Sequence, residues 1–219
     1  MNANFVRFAA NGTITVYSLV LVAGRLTVFP TSAYHMLWGG VAIIVVLLDI
    51  YFLAKSTLNK PQKVDTSLSS FIFAVAGSLG FWGSAVATGY TVADLPFTAA
   101  LRQAGSIVAL LPYPFIIWSL LCLKGCVTVI PEAHGVVTHG IYKYSRHPLY
   151  MCYIIWAIAN IMMFPSLPML AASSALIALL VLRLKREEKL LLATFPEYRD
   201  YYSRTGLIGN LRLKALVGE

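Results

Sequence analysis

Long apolar runs constrain the fold of this chain more than any other feature of its sequence. A membrane-spanning helix needs about 20 predominantly apolar residues, and it satisfies its own backbone hydrogen bonds inside the bilayer. Runs of this kind cover about residues 12–30, 35–54, 69–90 and 101–123, and a longer one covers about 149–183. The longer run is interrupted by Pro165-Ser166-Leu167-Pro168, which predicts a hairpin of two short helices of about fifteen residues each. The sequence therefore predicts an all-α, polytopic integral membrane protein with about six membrane helices.

The charged residues are too few for an ordinary soluble domain. Of the 219 residues, 58% are hydrophobic and 12% are charged, whereas soluble domains carry about 25% charged residues. The net charge of +8 would suit a nucleic-acid partner, but the basic residues are grouped between the apolar runs. In that position they mark cytoplasmic loops and contacts with anionic lipids. We therefore expect membrane lipids as partners, and no nucleic acid.

The positions of lysine and arginine predict the orientation of the helices. They lie in the second and fourth connections and after the hairpin, at Lys55, Lys60, Lys63, Lys124, Lys143, Arg146, Arg183, Lys185, Arg186 and Lys189. The connections "TSAYH", "TVADLPFTA" and "PSLP" contain neither residue type. By the positive-inside rule, both termini and the basic loops are cytoplasmic. We expect one integral membrane domain over residues 1–219, with four N-terminal helices in 1–123 and a core in 124–219.

The cysteines do not indicate a metal or redox site. Cys122, Cys126 and Cys152 lack the paired spacing of a zinc site, and their odd number does not suit a disulfide framework. Cys122 and Cys126 lie one helical turn apart, but Glu132 and His134, the nearest further ligands, follow a proline. We expect no metal, and buried small side chains at the cysteines.

Polar chemistry is concentrated in one cytoplasmic loop, between about residues 124 and 150, which contains "HGIYKYSRHPLY". A loop of about 25 residues is long for a compact domain, and long ordered loops are often functional. Pro148 biases His147 away from helical angles, so Arg146 and His147 should lie where the next helix begins. Amides at a helix N-terminus, joined by an arginine, suit a carboxylate or phosphate. The alternative is that these residues only anchor the loop to lipid headgroups.

Two carboxylates, Glu187 and Glu188, follow the last membrane helix and occupy different faces. At about 100° per residue, one apolar stripe is formed by Ile177, Leu180, Leu184, Leu191 and Phe195. Glu188 falls within this stripe, where a carboxylate is out of place, so we predict that it is functional. Glu187 lies toward the edge, one turn after Arg183, and is expected to form an i,i+4 ion pair with it. A surface pair between Glu188 and Lys185 is the alternative.

The segment after the hairpin is amphipathic and predicts a short helix on the cytoplasmic interface. Thr194 and Glu197 have the spacing of a capping box, and Pro196 suits the first turn of a helix. We therefore expect an interfacial C-terminal helix that begins close to Thr194.

Two motifs together resemble a known superfamily. "HGIYKYSRHPLY", followed about 35 residues later by "REEKLLLATFPEYRDYY", resembles the membrane methyltransferases that include isoprenylcysteine carboxyl methyltransferases and phospholipid N-methyltransferases. The resemblance covers about residues 130–208, so that 124–219 would be a methyltransferase-like core. It implies that S-adenosylmethionine is the cofactor and that Arg146 and Glu188 are catalytic. The residues implied in cofactor binding are Gly140, Tyr142, Arg146, His147, Pro148, Tyr150, Glu187, Glu188, Tyr198 and Tyr201.

The resemblance also implies that the cofactor binds between the loop and the C-terminal helices. Arg146 and the amides near His147 suit its carboxylate, and Glu188 suits its ammonium or ribose hydroxyls. Tyr142 or Tyr150 would place a ring near its sulfonium. The methyl acceptor is expected to be amphipathic or lipid-like, and a carboxylate is favoured because it is already ionised at neutral pH. The chain departs from the family after residue 202, where "SRTGLIGNLRLKALVGE" replaces a proline-containing end.

Two other functions are left open by the sequence. Membrane sterol reductases also have an Arg-His-Pro-like segment and a tyrosine-rich tail, so an NADPH-dependent reductase is the alternative enzyme. A non-enzymatic membrane protein that keeps the fold for interactions is the other alternative. The adjacent glutamates and the short chain favour the methyltransferase over the reductase.

Overall fold

The described part of the computed structural model comprises residues 3–27, 33–72, 76 and 98–207, and it is dominated by helices. In chain order the elements are α1 (Ala3–Thr27), α2 (Ala33–Leu58), β1 (Lys63–Val64), α3 (Thr98–Leu110), α4 (Pro112–Leu123), β2 (Glu132–Ala133), α5 (Pro148–Met163), α6 (Leu167–Thr194) and α7 (Pro196–Arg204). Short 3-10 turns occupy Lys124–Cys126 and Gly140–Lys143, and β1 pairs antiparallel with β2. The predicted all-α fold is confirmed.

Within the described residues, three helical segments are long and apolar enough to cross a membrane: Gly39–Leu58, Thr98–Cys126 and Leu167–Thr194. The helix α5 is apolar but shorter. The chain is therefore a polytopic integral membrane protein, as predicted. The predicted run at 69–90 lies largely outside the described residues, so the number of about six membrane helices stays a prediction.

The predicted run at 101–123 forms two helices, α3 and α4, that are separated only by Leu111. Pro112 and Pro114 explain the division, because a proline has no amide hydrogen to donate and suits the first turn of a helix. Within α3, Gly105 permits a close approach to α5, since a Cβ at this position would lie 2.7 Å from the Cβ of Met162.

The predicted hairpin is formed by α5 and α6. Ser166 caps α6 by accepting a hydrogen bond from the Met169 amide at 3.3 Å. The second arm is longer than predicted, because α6 continues through the charged segment to Thr194 as one helix of 28 residues. Leucine, lysine, arginine and glutamate are strong helix formers, so the change from apolar to charged residues does not end the helix.

The short helix α7 confirms the expected C-terminal helix, but the predicted capping box is wrong. The N-cap residue is Phe195, which makes no side-chain cap. The hydroxyl of Thr194 instead donates to the Leu190 carbonyl of α6, at 2.7 Å. Phe195 is buried among aromatic residues of α7, and this burial rather than a polar cap determines where the chain turns.

The helix α5 lies at the centre of the packing and contacts α3, α4 and α6. One hydrophobic cluster joins α2, α4 and α5 through Val45, Phe52, Tyr113, Ile116, Leu120 and Cys152. Cys122 and Cys152 are buried free thiols, as predicted, whereas Cys126 is partly exposed. This packing brings the N-terminus of α5 beside the charged C-terminal part of α6.

Candidate functional site

The centre of the candidate site is a buried ion-pair cluster between α5 and α6. Glu188 is only 2% exposed. Its Oε1 lies 2.8 Å from Nε of Arg146 and 3.2 Å from Nε2 of His147. Arg146 and His147 immediately precede Pro148, the first residue of α5, so the predicted placement of both residues at a helix start is confirmed. The surface pair of Glu188 with Lys185 is excluded by this burial.

Arg146 also holds the segment that follows α7. Its Nη1 donates to the carbonyl oxygen of Tyr202 at 2.9 Å and to that of Thr205, and its guanidinium lies 4.0 Å from the centre of the Tyr202 ring. The Arg146 amide donates to the Gly206 carbonyl at 3.1 Å, and the Ser145 hydroxyl donates to the Leu207 carbonyl. Residues 202–207 therefore form one wall of the site.

Glu187 belongs to a neighbouring contact on the more exposed side of α6. Its Oε2 accepts a hydrogen bond from the Tyr150 hydroxyl at 2.6 Å. Arg183 donates to the Thr128 carbonyl and lies 5.6 Å from the centre of the Tyr150 ring. The predicted Arg183–Glu187 ion pair is wrong, because tertiary contacts replace it: Glu187 accepts from the Tyr150 hydroxyl, and Arg183 donates to the Thr128 carbonyl.

A buried hydrophobic cluster, contributed by β2, the end of α6 and α7, packs beside the ion pair, and we call it the aromatic wall. It contains Ala133, Leu190, Leu191, Phe195, Tyr198 and Tyr201. Burial raises the pKa of Tyr201 to about 12, so this hydroxyl keeps its proton. It donates to the Tyr142 carbonyl at 2.5 Å and thereby attaches α7 to the 3-10 turn of the loop. Tyr142 is itself buried, and burial also raises its pKa well above the ordinary value.

Two buried polar atoms of the site have no hydrogen-bond partner among the described residues. They are Oε2 of Glu188 and the hydroxyl of Tyr198. An unpaired buried polar atom costs about 1–3 kcal/mol, so most such atoms have a partner. The pair of unpartnered atoms therefore provides one acceptor and one hydroxyl to which a ligand can hydrogen-bond.

Gly140 is placed differently from the other predicted site residues. It has a φ of +61°, and a Cβ there would lie 2.4 Å from Sγ of Cys122. Its observed role is to let the 3-10 turn approach α4, and it is not part of the ion-pair cluster. The structure brings together the other predicted residues at one end of the hairpin, where Pro148 starts α5. These residues are Tyr142, Arg146, His147, Pro148, Tyr150, Glu187, Glu188, Tyr198 and Tyr201.

The sequence did not identify the residues after Tyr202 as part of the site. Thr205, Gly206 and Leu207 contribute through backbone carbonyls, which any residue type provides. Leu207 is also buried against α5 and α6. Among the described residues, no group of three or more His, Cys, Asp or Glu side chains is arranged to hold a metal ion.

These features define a helical integral membrane protein with a buried arginine–histidine–glutamate cluster at the polar end of a helical hairpin. Residues 104–193 match the sequence profile of the Isoprenylcysteine carboxyl methyltransferase (ICMT) family. This segment contains Arg146, His147 and Glu188, and the match confirms the resemblance to membrane methyltransferases of this type.

Two characterised relatives match parts of the chain. It is 48% identical over 29 residues to Protein-S-isoprenylcysteine O-methyltransferase A of Arabidopsis thaliana, which covers 13% of this chain and 15% of the relative. It is 30% identical over 113 residues to the Nickel-cobalt-cadmium resistance protein NccN of Alcaligenes xylosoxydans xylosoxydans, which covers 51% of each. The chain thus spans about half the length, or less, of these relatives.

Proposed function

We propose that this protein is an S-adenosylmethionine-dependent methyltransferase that acts on an amphipathic or lipid-like acceptor at the membrane interface, preferentially on a carboxylate. The observation that carries the proposal is the unpartnered, buried Oε2 of Glu188 inside the Arg146–His147–Glu188 cluster. The family match over residues 104–193 supports the methyl-transfer chemistry.

The residues of the site fit the proposed cofactor. When bound, S-adenosylmethionine supplies a methyl group on a positively charged sulfur. Its ammonium or ribose hydroxyls are donors, and Glu188 has a free acceptor oxygen for one of them. Arg146 uses Nε and Nη1 within the protein, so among its described contacts Nη2 is the nitrogen left for a ligand carboxylate. The rings of Tyr202 and Tyr150 lie 4.0 Å and 5.6 Å from the guanidinium groups of Arg146 and Arg183, so aromatic rings already face positive charge beside the cluster.

The protonation chemistry of the site favours a carboxylate acceptor. An amine acceptor must lose a proton before it attacks, whereas a carboxylate is already ionised at neutral pH. His147, which could serve as a base, already contacts Glu188 through Nε2, at 3.2 Å. A carboxylate acceptor needs no such base, whereas an amine acceptor would need one.

The first test measures which cofactor the protein binds. Detergent-purified protein is titrated calorimetrically with S-adenosylhomocysteine and, separately, with NADPH. We expect saturable binding of S-adenosylhomocysteine and no heat of binding from NADPH, because the cluster offers an acceptor for an ammonium. Binding of NADPH alone would support the reductase alternative, and binding of neither would support a non-enzymatic protein.

We further propose that the domain is single over residues 1–219, that both termini and the site face the cytoplasm, and that the acceptor enters laterally from the bilayer. The basic residues that flank the site, including Lys143 and Lys185, support this orientation through the positive-inside rule. A cytoplasmic site would also have access to the soluble cofactor, while the apolar faces of α5 and α6 would lie beside the lipid tails.

Cysteine labelling tests the orientation. Lys60 is exposed in the connection after α2, so a Lys60→Cys variant should present its thiol on the cytoplasmic side. We expect a membrane-impermeant maleimide to label it in inverted vesicles and not in intact cells. The parent protein, which keeps its own three cysteines, is the matched control. Labelling of Lys60→Cys in intact cells alone would contradict the orientation.

A further inference from the structure

A second buried polar cluster lies outside the candidate site and joins the first helix to the functional loop. It consists of Arg7 in α1, Glu132 in β2 and His134, and we refer to it as the N-terminal tether. Oε2 of Glu132 lies 3.0 Å from Nε of Arg7 and 2.7 Å from Nε2 of His134. The Glu132 side chain is fully buried. Charged side chains are rarely buried unless they are paired, and here Glu132 is paired with both Arg7 and His134.

Arg7 extends the tether to the end of α2. Its Nη2 donates to the Ser56 carbonyl at 3.1 Å and to the Asn59 carbonyl at 2.8 Å. The last carbonyls of a helix lack partners within the helix and attract cations. His134 also approaches this end of α2, since its Nε2 lies 3.4 Å from the Ser56 hydroxyl. One arginine thus fixes α1, α2 and β2 relative to one another.

The strand β2 transmits this constraint to the site. Adjacent side chains of a strand point to opposite faces. Glu132 contacts Arg7 on one face, while Ala133 packs into the aromatic wall that contains Tyr198 and Tyr201. The backbone of this segment is fixed as well, because the Gln62 amide donates to the Ala133 carbonyl at 2.8 Å. A displacement of Glu132 would therefore displace the residue that supports the aromatic wall.

We propose that the N-terminal tether is a positioning device for the site: Arg7, acting through Glu132, holds β2 against the aromatic wall of α7. This assigns a role to an N-terminal helix that lies outside the family-matched residues 104–193. Testing this proposal by cofactor affinity rests on the proposed function, whereas testing it by hydrogen–deuterium exchange does not. The competing explanation is that the buried pair contributes only to folding stability, although such pairs often contribute little net stability.

The test compares Arg7→Met, Glu132→Gln and the double variant with the parent protein. Hydrogen–deuterium exchange is measured for segments 139–147 and 196–204, together with the affinity for S-adenosylhomocysteine and the unfolding temperature. We expect several-fold faster exchange in both segments and about 10-fold weaker cofactor binding, because small misplacements of site residues have large effects. Arg7→Lys should have smaller effects on exchange and on affinity than Arg7→Met, since lysine keeps a positive charge beside Glu132. Lys60→Met, which removes an exposed charge nearby, is the control and should behave like the parent.

Coupling within the tether provides the deciding comparison. If Arg7 acts through Glu132, the exchange and affinity of the double variant should be no worse than those of the more affected single variant. The proposal would be overturned if the variants had a lower unfolding temperature but exchanged hydrogen in both segments at the rate of the parent protein. It would also be overturned if the losses of cofactor affinity in the two single variants multiplied in the double variant. If the parent itself does not bind S-adenosylhomocysteine, the proposed function fails, and the exchange measurements alone decide the tether.

Discussion

Glu188→Gln is expected to weaken the binding of S-adenosylhomocysteine by about 10- to 150-fold, which corresponds to the loss of a charge-assisted hydrogen bond of about 1.5–3 kcal/mol. Glutamine keeps the shape of the side chain but removes the negative charge that faces Arg146 and His147. It also leaves the position of the unpartnered Oε2 without a charged acceptor. Calorimetric titration of detergent-purified protein measures the effect.

Glu187→Gln is the matched control for this prediction. The Tyr150 hydroxyl donates to Glu187 at 2.6 Å, and the carbonyl of a glutamine can accept the same hydrogen bond. We therefore expect a much smaller loss of affinity. Parental binding by Glu188→Gln together with failure of Glu187→Gln would show that the other carboxylate serves the cofactor, and parental binding by both would contradict the proposed site.

Arg146→Met is expected to lower the stability of the protein by about 3–5 kcal/mol, because it leaves the buried Glu188 carboxylate without its closest cation. It also removes the donors that hold the carbonyls of Tyr202 and Thr205. Arg146→Lys should be affected less, since a lysine keeps the charge but lacks the planar set of donors. The apparent unfolding temperature of the detergent-purified protein, followed by circular dichroism at a fixed heating rate, ranks the variants.

The control for Arg146 is Arg204→Met. Arg204 is exposed, and its Nε donates to the Asp200 carbonyl within α7. Exposed substitutions of this kind usually change stability by less than about 0.5 kcal/mol. An Arg146→Met protein as stable as Arg204→Met would contradict the view that the ion pair with Glu188 fixes the loop to α6.

The sequence identified the buried carboxylate correctly because burial on a helix follows its periodicity. Glu188 shares a face with Leu180, Leu184 and Leu191, and all four are buried, whereas Glu187 is partly exposed. The start of α5 was equally predictable, since Pro148 restricts the residue before it. These features depend on local geometry, which the order of the residues determines directly.

Partners that are distant in the sequence could not be predicted in the same way. Arg7 and Glu132 are far apart in the chain, and nothing in their local sequence indicates that they meet. The expected Arg183–Glu187 pair was wrong for the related reason that an exposed i,i+4 pair is worth only about 0.2–0.5 kcal/mol, so contacts with Thr128 and Tyr150 readily replace it. The residues after Tyr202 that contact Ser145 and Arg146 do so through their backbone carbonyls, which carry no sequence signal.

The attachment of residues 205–207 to Ser145 and Arg146 has a consequence for how the protein is made. While the ribosome is still adding residues before 205, the segments of the loop and of the α5–α6 hairpin have been synthesised, but the residues that accept from the Arg146 amide and the Ser145 hydroxyl have not. The hydrophobic slot that Leu207 fills against α5 and α6 is empty at that stage as well. The candidate site therefore lacks one of its walls until translation has passed residue 207.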